Sequence, residues 1–91
     1  MKYSVRFLKA AAVGLAKLRK SDPAAYRKAL KLVDAIAEDP RRGIGKPEPL
    51  KGGDGVTWSR RVTGRDRVVY DIYEEVVEVC VIEVGGHYGD K

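Results

Sequence analysis

This chain of 91 residues contains little of several residue types, and each shortage excludes a class of protein. It has one cysteine, Cys80, so an intramolecular disulfide is impossible and the paired-cysteine pattern of zinc sites is missing. No apolar run approaches the roughly 18 residues of a membrane span, and no signal-peptide pattern follows Met1. We therefore expect a cytoplasmic protein without a membrane partner. The single histidine, His87, is the one side chain that ordinarily titrates near neutral pH.

Acidic residues are scarce in the first three quarters of the chain. The net charge is +5 and the pI is about 9.5, which favours an acidic partner. Residues 1–40 carry nine Lys/Arg against four Asp/Glu, and residues 41–70 carry eight against three. Residues 71–91 reverse this balance, with one basic and six acidic side chains. The pattern predicts a polarised surface.

The hydrophobic pattern predicts a single domain over residues 1–91. Apolar residues alternate with polar ones over residues 3–7, which is typical of a strand, and then recur at helical spacing from Leu8. Ser21-Asp22-Pro23 combines a capping side chain with proline, and therefore separates two helices. The second helix is expected to end at Asp39-Pro40.

Three strands are predicted after the helices, over residues 56–62, 67–73 and 76–84, with short turns that make neighbours antiparallel. The order β-α-α-β-β-β indicates an α+β fold. We expect a small, mostly antiparallel sheet with the helical hairpin packed on one face.

Residues 40–55 form a predicted loop of 16 residues with five glycines and three prolines. A loop of this length in a small domain is uncommon and often functional. Pro47 and Pro49 flank Glu48 and stiffen the backbone around its carboxylate. Glu48 is a candidate catalytic group, or a surface carboxylate paired with Lys46 or Lys51.

Two arginines and one histidine complete the candidate site. Arg61 and Arg67 become close cross-strand neighbours if a hairpin turns near Gly64, and such like charges repel unless an anion bridges them. An RNA phosphate is one such anion, and the alternative is that both are solvated strand residues paired with Asp66 or Asp71. His87 either exchanges protons in the site or is an ordinary surface residue.

Four motifs together carry a family resemblance: GKPEPLK at 45–51, WSRRV at 58–62, DRVVY at 66–70 and GHY at 86–88. With this spacing the chain resembles the YoeB/Txe toxins of the RelE/ParE superfamily. The resemblance implies a RelE-like fold and a ribosome-dependent mRNA interferase that needs neither metal nor cofactor. It also implies inhibition by a cognate antitoxin of the YefM/Phd type, and a possible homodimer.

The resemblance also implies roles for individual residues. Glu48 corresponds to the general base, Arg61 and Arg67 to the groups that stabilise the transition state, His87 to the general acid, and Tyr88 to a residue that positions RNA. Further contacts to mRNA or ribosomal RNA are expected at Lys46, Lys51, Arg60, Lys9, Lys17, Lys20, Arg41 and Arg42.

Two other functions remain open from the sequence. ParE-like relatives have a similar fold but bind and poison gyrase, and a decayed site would leave an RNA-binding domain without activity. Gly85 departs from the family pattern, because many members carry arginine two residues before the histidine.

Overall fold

The computed structural model describes residues 2–50 and 55–86. In chain order the elements are β1 (Ser4–Phe7), α1 (Lys9–Ser21), α2 (Pro23–Glu38), β2 (Glu48–Pro49), β3 (Thr57–Arg61), β4 (Asp66–Tyr73), a 3₁₀ turn (Glu74–Val76) and β5 (Glu78–Gly86). The strands form one sheet in the order β1-β5-β4-β3-β2. β1 pairs with β5 in parallel, and the other three pairings are antiparallel. The predicted α+β class is confirmed.

The two helices form the predicted hairpin. The Asp22 carboxylate accepts a hydrogen bond from the backbone N–H of Ala25 at 3.2 Å, and Pro23 opens α2. Helix α1 approaches β5 closely at Gly14, where any Cβ would collide with the carbonyl oxygen of Val84. Neither helix in the described part of the chain has the length and apolar character that a membrane span requires.

The core lies between the helical hairpin and one face of the sheet. Its buried members are Ala11, Leu18, Ala25, Ala29, Leu32, Ile36, Val62, Val68, Tyr70, Ile72, Val79, Val81 and Val84. These residues recur at helical spacing in α1 and α2, and they alternate with other residues along β4, so each of these elements turns one face to the core. On the opposite face of the sheet, Val69 and Cys80 are also buried.

The predicted loop at residues 40–55 is not structureless, because it contains β2. Glu48 pairs with Ser59 and Pro49 with Trp58, at the edge of the sheet. Proline is tolerated on an edge strand, where its missing N–H leaves no ladder bond unmade. The backbone N–H of Leu50 then donates to the carbonyl of Thr57 at 3.0 Å. The loop is therefore tied to β3.

The last strand is shifted relative to its predicted range of 76–84. Residues 74–76 form the 3₁₀ turn, and Val77 adopts a left-handed conformation with φ of 50°. The strand consequently begins at Glu78 and continues to Gly86, which pairs with Asp66 at the start of β4.

Candidate functional site

Arg61 and Arg67 lie on the face of the sheet that points away from the helices. Side chains alternate between the two faces of a strand. Val62 and Val68 belong to the core on the helical side. Their neighbours Arg61 and Arg67 therefore point to the opposite side, which we call the arginine face.

The two arginines are directly opposite each other on β3 and β4. Directly opposed residues in an antiparallel pair have Cβ atoms about 5 Å apart. Within the described ranges, no carboxylate lies within 4.0 Å of either guanidinium group. Two uncompensated cations at this spacing repel each other, and a phosphate that contacts both would relieve the repulsion.

Neither Asp66 nor Asp71 pairs with these arginines, so that part of the alternative is wrong. Both carboxylates accept hydrogen bonds from neighbouring hydroxyl groups instead. The Asp66 carboxylate accepts from Thr63 at 3.0 Å, and the Asp71 carboxylate accepts from Thr57 at 2.6 Å. These carboxylates brace the hairpin and leave the arginine pair uncompensated.

Glu48 lies near the arginine pair because β2 is paired with β3. Its partner Ser59 precedes Arg61 by two positions, so Glu48 and Arg61 are diagonal neighbours on one face. Diagonal positions in an antiparallel pair are about 7–8 Å apart. Glu48 is exposed and makes no ion pair with Lys46. The structure thus brings a carboxylate and two guanidinium groups onto the arginine face.

A groove of about 400 Å³ joins Lys46 to Arg61 and also includes Lys28 of α2. The Gly45 carbonyl accepts the backbone N–H of Arg61 at 2.6 Å, which holds the loop against β3. Lys46 follows in a left-handed conformation with φ of 51°, which is uncommon for a residue other than glycine. Sequence reasoning missed Lys28, since nothing in a solvated helix face indicates where a loop will cross it.

Arg60 is not an RNA contact, contrary to the sequence-based expectation. Its side chain is 0% exposed, and it points to the helical face. The guanidinium group donates to the Tyr70 hydroxyl and to three backbone carbonyls. Period-two alternation explains the difference, because adjacent residues Arg60 and Arg61 must face opposite ways.

The remaining predicted cations are not gathered at the site. Lys9, Lys17 and Lys20 are exposed on α1, which packs on the other face of the sheet. Arg41 forms an ion pair with Glu74 at 2.9 Å, near the end of β4 that is remote from Arg67. Arg42 is exposed. Contacts of these side chains with ribosomal RNA remain predictions.

Three predicted site residues, Lys51, His87 and Tyr88, lie outside the described residues. The described chain ends at Gly86, and the preceding residue Gly85 is the direct partner of Arg67. Gly85 has φ of 136°, a conformation that side chains disfavour. The backbone at this position therefore suits glycine.

Comparison with known proteins agrees with the fold and with the motifs. The family model described as YoeB-like toxin of bacterial type II toxin-antitoxin system matches residues 9–88. Toxin YoeB of Synechocystis sp. is 46% identical over 57 residues, which are 63% of this chain and 64% of the relative. The chain thus spans just under two thirds of that relative's length.

Solved structures extend the likeness to nearly the whole chain. A YoeB/ParE toxin from Agrobacterium tumefaciens superimposes with a TM-score of 0.83 at 29% identity, covering 93% of this chain and 99% of the other. A YoeB dimer from Staphylococcus aureus superimposes with a TM-score of 0.81 at 25% identity, and a heterotetrameric YoeB-YefM complex from the same organism superimposes with a TM-score of 0.78 at 25% identity. Each of these two covers 97% of this chain and 100% of the other. On the family match and these structures, the chain belongs to the YoeB-like toxins of bacterial type II toxin-antitoxin systems.

Proposed function

We propose that this toxin is an endoribonuclease that cuts mRNA in the ribosomal A site. The observation that carries the proposal is the uncompensated pair Arg61–Arg67, with Glu48 on the same face of the sheet. A transition state with extra negative charge on phosphorus is stabilised by such fixed cations. Membership of the YoeB-like family supports the same reaction class.

The proposed reaction is transfer of the phosphoryl group to the neighbouring ribose hydroxyl. The Glu48 carboxylate takes the proton of the 2′-hydroxyl, whose oxygen forms a bond to phosphorus. The bond from phosphorus to the 5′-oxygen breaks, and the His87 imidazolium gives that oxygen a proton. Arg61 and Arg67 hold the equatorial oxygens through charge-assisted hydrogen bonds. The products are a 2′,3′-cyclic phosphate and a 5′-hydroxyl, with no metal in the balance.

Other groups are proposed to bind RNA without taking part in proton transfer. Tyr88 stacks on or positions a base, and Lys46 and Lys51 contact phosphates. Lys28 extends this set, because it shares the groove with Lys46 and Arg61. The ribosome supplies the substrate in a fixed conformation, which lowers the entropy cost of in-line attack.

The proposed regulator is a cognate antitoxin of the YefM/Phd type. The S. aureus relative forms a heterotetrameric complex with YefM and is also found as a dimer. We propose the same kinds of assembly for this chain, acting in the cytoplasm, where the ribosome is its target.

The test is primer extension on a defined mRNA in a translating extract. Wild type is expected to cut at A-site codons, and Glu48→Gln to cut about 100-fold more slowly or worse. Arg67→Gln is expected to lose a similar factor, because it removes a stabilising donor. Glu75→Gln is the matched control, since Glu75 is an exposed carboxylate in the 3₁₀ turn beyond the far end of β4.

Two outcomes would contradict the proposal. Intact mRNA with folded wild type, under conditions where cells stop growing, would favour a gyrase poison of the ParE kind. Equal cutting by wild type and Glu48→Gln would remove Glu48 from the reaction while leaving the activity in place.

A further inference from the structure

The side chain of Arg60 lies buried beneath the loop that leads to Glu48. It donates to the carbonyl oxygens of Asp39, Arg42 and Ile44, the last two at 2.7 and 3.1 Å. Its Nε also donates to the Tyr70 hydroxyl at 3.2 Å. One guanidinium group therefore fixes three carbonyls over six successive residues, which a planar fork of five donors is suited to do.

Tyr70 extends this set of contacts to a fourth carbonyl. Its hydroxyl accepts from Arg60 and donates to the carbonyl of Pro40 at 2.6 Å. Burial raises the pKa of the Tyr70 hydroxyl, and the neighbouring guanidinium only partly offsets that rise. The hydroxyl therefore keeps its proton at neutral pH and remains a donor. We call Arg60, Tyr70 and these four carbonyls the Arg60 clamp.

The Arg60 clamp contains no counter-ion among the described residues. Every acceptor is a neutral carbonyl or hydroxyl, and no carboxylate lies within 4.0 Å of the guanidinium group. Burying an unpaired charge is costly, and an apolar side chain would fill the same space without that cost. Core packing alone does not account for arginine here, whereas fixing the loop does.

The loop held by the clamp has little room to move. A Cβ at Gly43 would lie 3.0 Å from Nη1 of Arg60, and one at Gly45 would lie 2.7 Å from a Leu32 methyl. On the other side, the Gly45 carbonyl accepts the backbone N–H of Arg61 at 2.6 Å. Residues 39–45 are therefore fixed both from the core and from β3. Lys46 is the next residue, and Glu48 follows two positions later.

We infer that Arg60 is a positioning residue, which fixes residues 39–45 so that Lys46 and Glu48 are set against Arg61. Adjacent arginines on β3 thus divide two tasks between the two faces of the sheet. Arg61 faces the substrate, and Arg60 orients the segment that carries the base. The part that concerns Glu48 rests on the proposed function, whereas the fixing of the loop does not.

The test uses Arg60→Lys, which keeps the charge but replaces a planar fork with one ammonium group. The expected result is a fall in kcat for mRNA cleavage of about 10- to 100-fold with KM nearly unchanged, because the base is misplaced while the phosphate contacts remain. Tyr70→Phe keeps the three arginine–carbonyl bonds, and we expect a smaller fall in kcat. Val79→Ala is the control for lost stability, since Val79 is a buried residue of β5 outside the clamp. All variants are compared at a temperature where circular dichroism shows each to be folded.

A second readout is native-state hydrogen exchange at the amides of Arg61 and Leu50. These amides donate to Gly45 and Thr57, and so report on the docking of the loop. Faster exchange at both in Arg60→Lys, but not in Val79→Ala, supports the inference together with the fall in kcat. The inference would be overturned if Arg60→Lys exchanged these amides at the wild-type rate or had the wild-type kcat. It would also be overturned if Val79→Ala lost as much activity as Arg60→Lys.

The two proposals can fail separately. If wild type does not cut mRNA, the proposed function is wrong, and the exchange data alone then decide whether Arg60 fixes the loop. If wild type cuts and Arg60→Lys cuts equally well, the proposed function stands and the positioning role is wrong.

Discussion

Removing one member of the Arg61–Arg67 pair is expected to stabilise the fold while it slows the proposed RNA cleavage. The two residues are directly opposed, without a carboxylate within 4.0 Å in the described part of the chain. Coulomb's law gives about 0.5 kcal/mol for unit charges about 8 Å apart at a dielectric constant of about 80, and about 2 kcal/mol at about 20. Because Arg61 is exposed, the smaller value applies.

We therefore predict that Arg61→Gln raises the free energy of unfolding by about 0.5 kcal/mol. For a chain of this size that corresponds to a rise in Tm of about 2–4 °C. The gain is expected in about 10 mM salt, where the screening length is about 30 Å, and should vanish in about 1 M salt, where it is about 3 Å. Differential scanning calorimetry at both salt concentrations measures it.

Arg65→Gln is the control for net charge, since Arg65 is exposed in the turn between the same strands. Inorganic phosphate at constant ionic strength is expected to raise the Tm of wild type more than that of Arg61→Gln, because a ligand stabilises the state that binds it. A lower Tm for Arg61→Gln in low salt, with Arg65→Gln unchanged, would refute the reasoning. Arg61 would then have a stabilising partner, and the pair would not be an open anion site.

Two further predictions concern the scaffold. Gly14→Ala should lower the free energy of unfolding by about 1–3 kcal/mol in urea titrations, because the new methyl group meets the Val84 carbonyl oxygen. This loss is expected although alanine is the better helix former by about 1 kcal/mol. An increase in the free energy of unfolding would show that α1 moves away from β5 at little cost. Glu74 has a pKa below its ordinary value because it accepts hydrogen bonds from Tyr3 and Arg41. Its stabilisation is therefore complete above the ordinary carboxyl pKa of about 4.3 and is lost as pH falls through the folded-state pKa. Glu74→Gln should flatten this acid limb in urea titrations, and an unchanged limb would contradict the assignment.

The sequence predicted those parts of the fold that local chemistry determines. Asp22-Pro23 and Asp39-Pro40 mark helix ends because a cap and a proline act within a few residues. The facing arginines followed from period two and a short hairpin, since both are local rules. That Glu48 belongs to the same site as these arginines was predicted only from the motif resemblance. The pairing of β2 with β3 then showed where Glu48 lies relative to Arg61.

Other features could not be predicted because they depend on the path of the loop. β2 has two residues, too few for any periodic signal. Alternation along β3 places Arg60 on the core side, whereas a charged side chain is expected at the surface. The carbonyls of the loop explain why this charge is buried. The same path creates the groove at Lys28. The roles of His87, Tyr88 and Lys51 stay predictions.

The parallel pairing of β1 with β5 has a consequence for synthesis of the toxin. Ser4 is paired with Glu78, 74 positions later in the chain, so β1 cannot find its partner until nearly all of the domain has been made. Contacts of such long sequence separation slow folding and must wait for the emerging chain. The sheet that presents the arginine face is therefore completed late. The proposed antitoxin would therefore meet each new toxin molecule while β1 and β5 are still pairing.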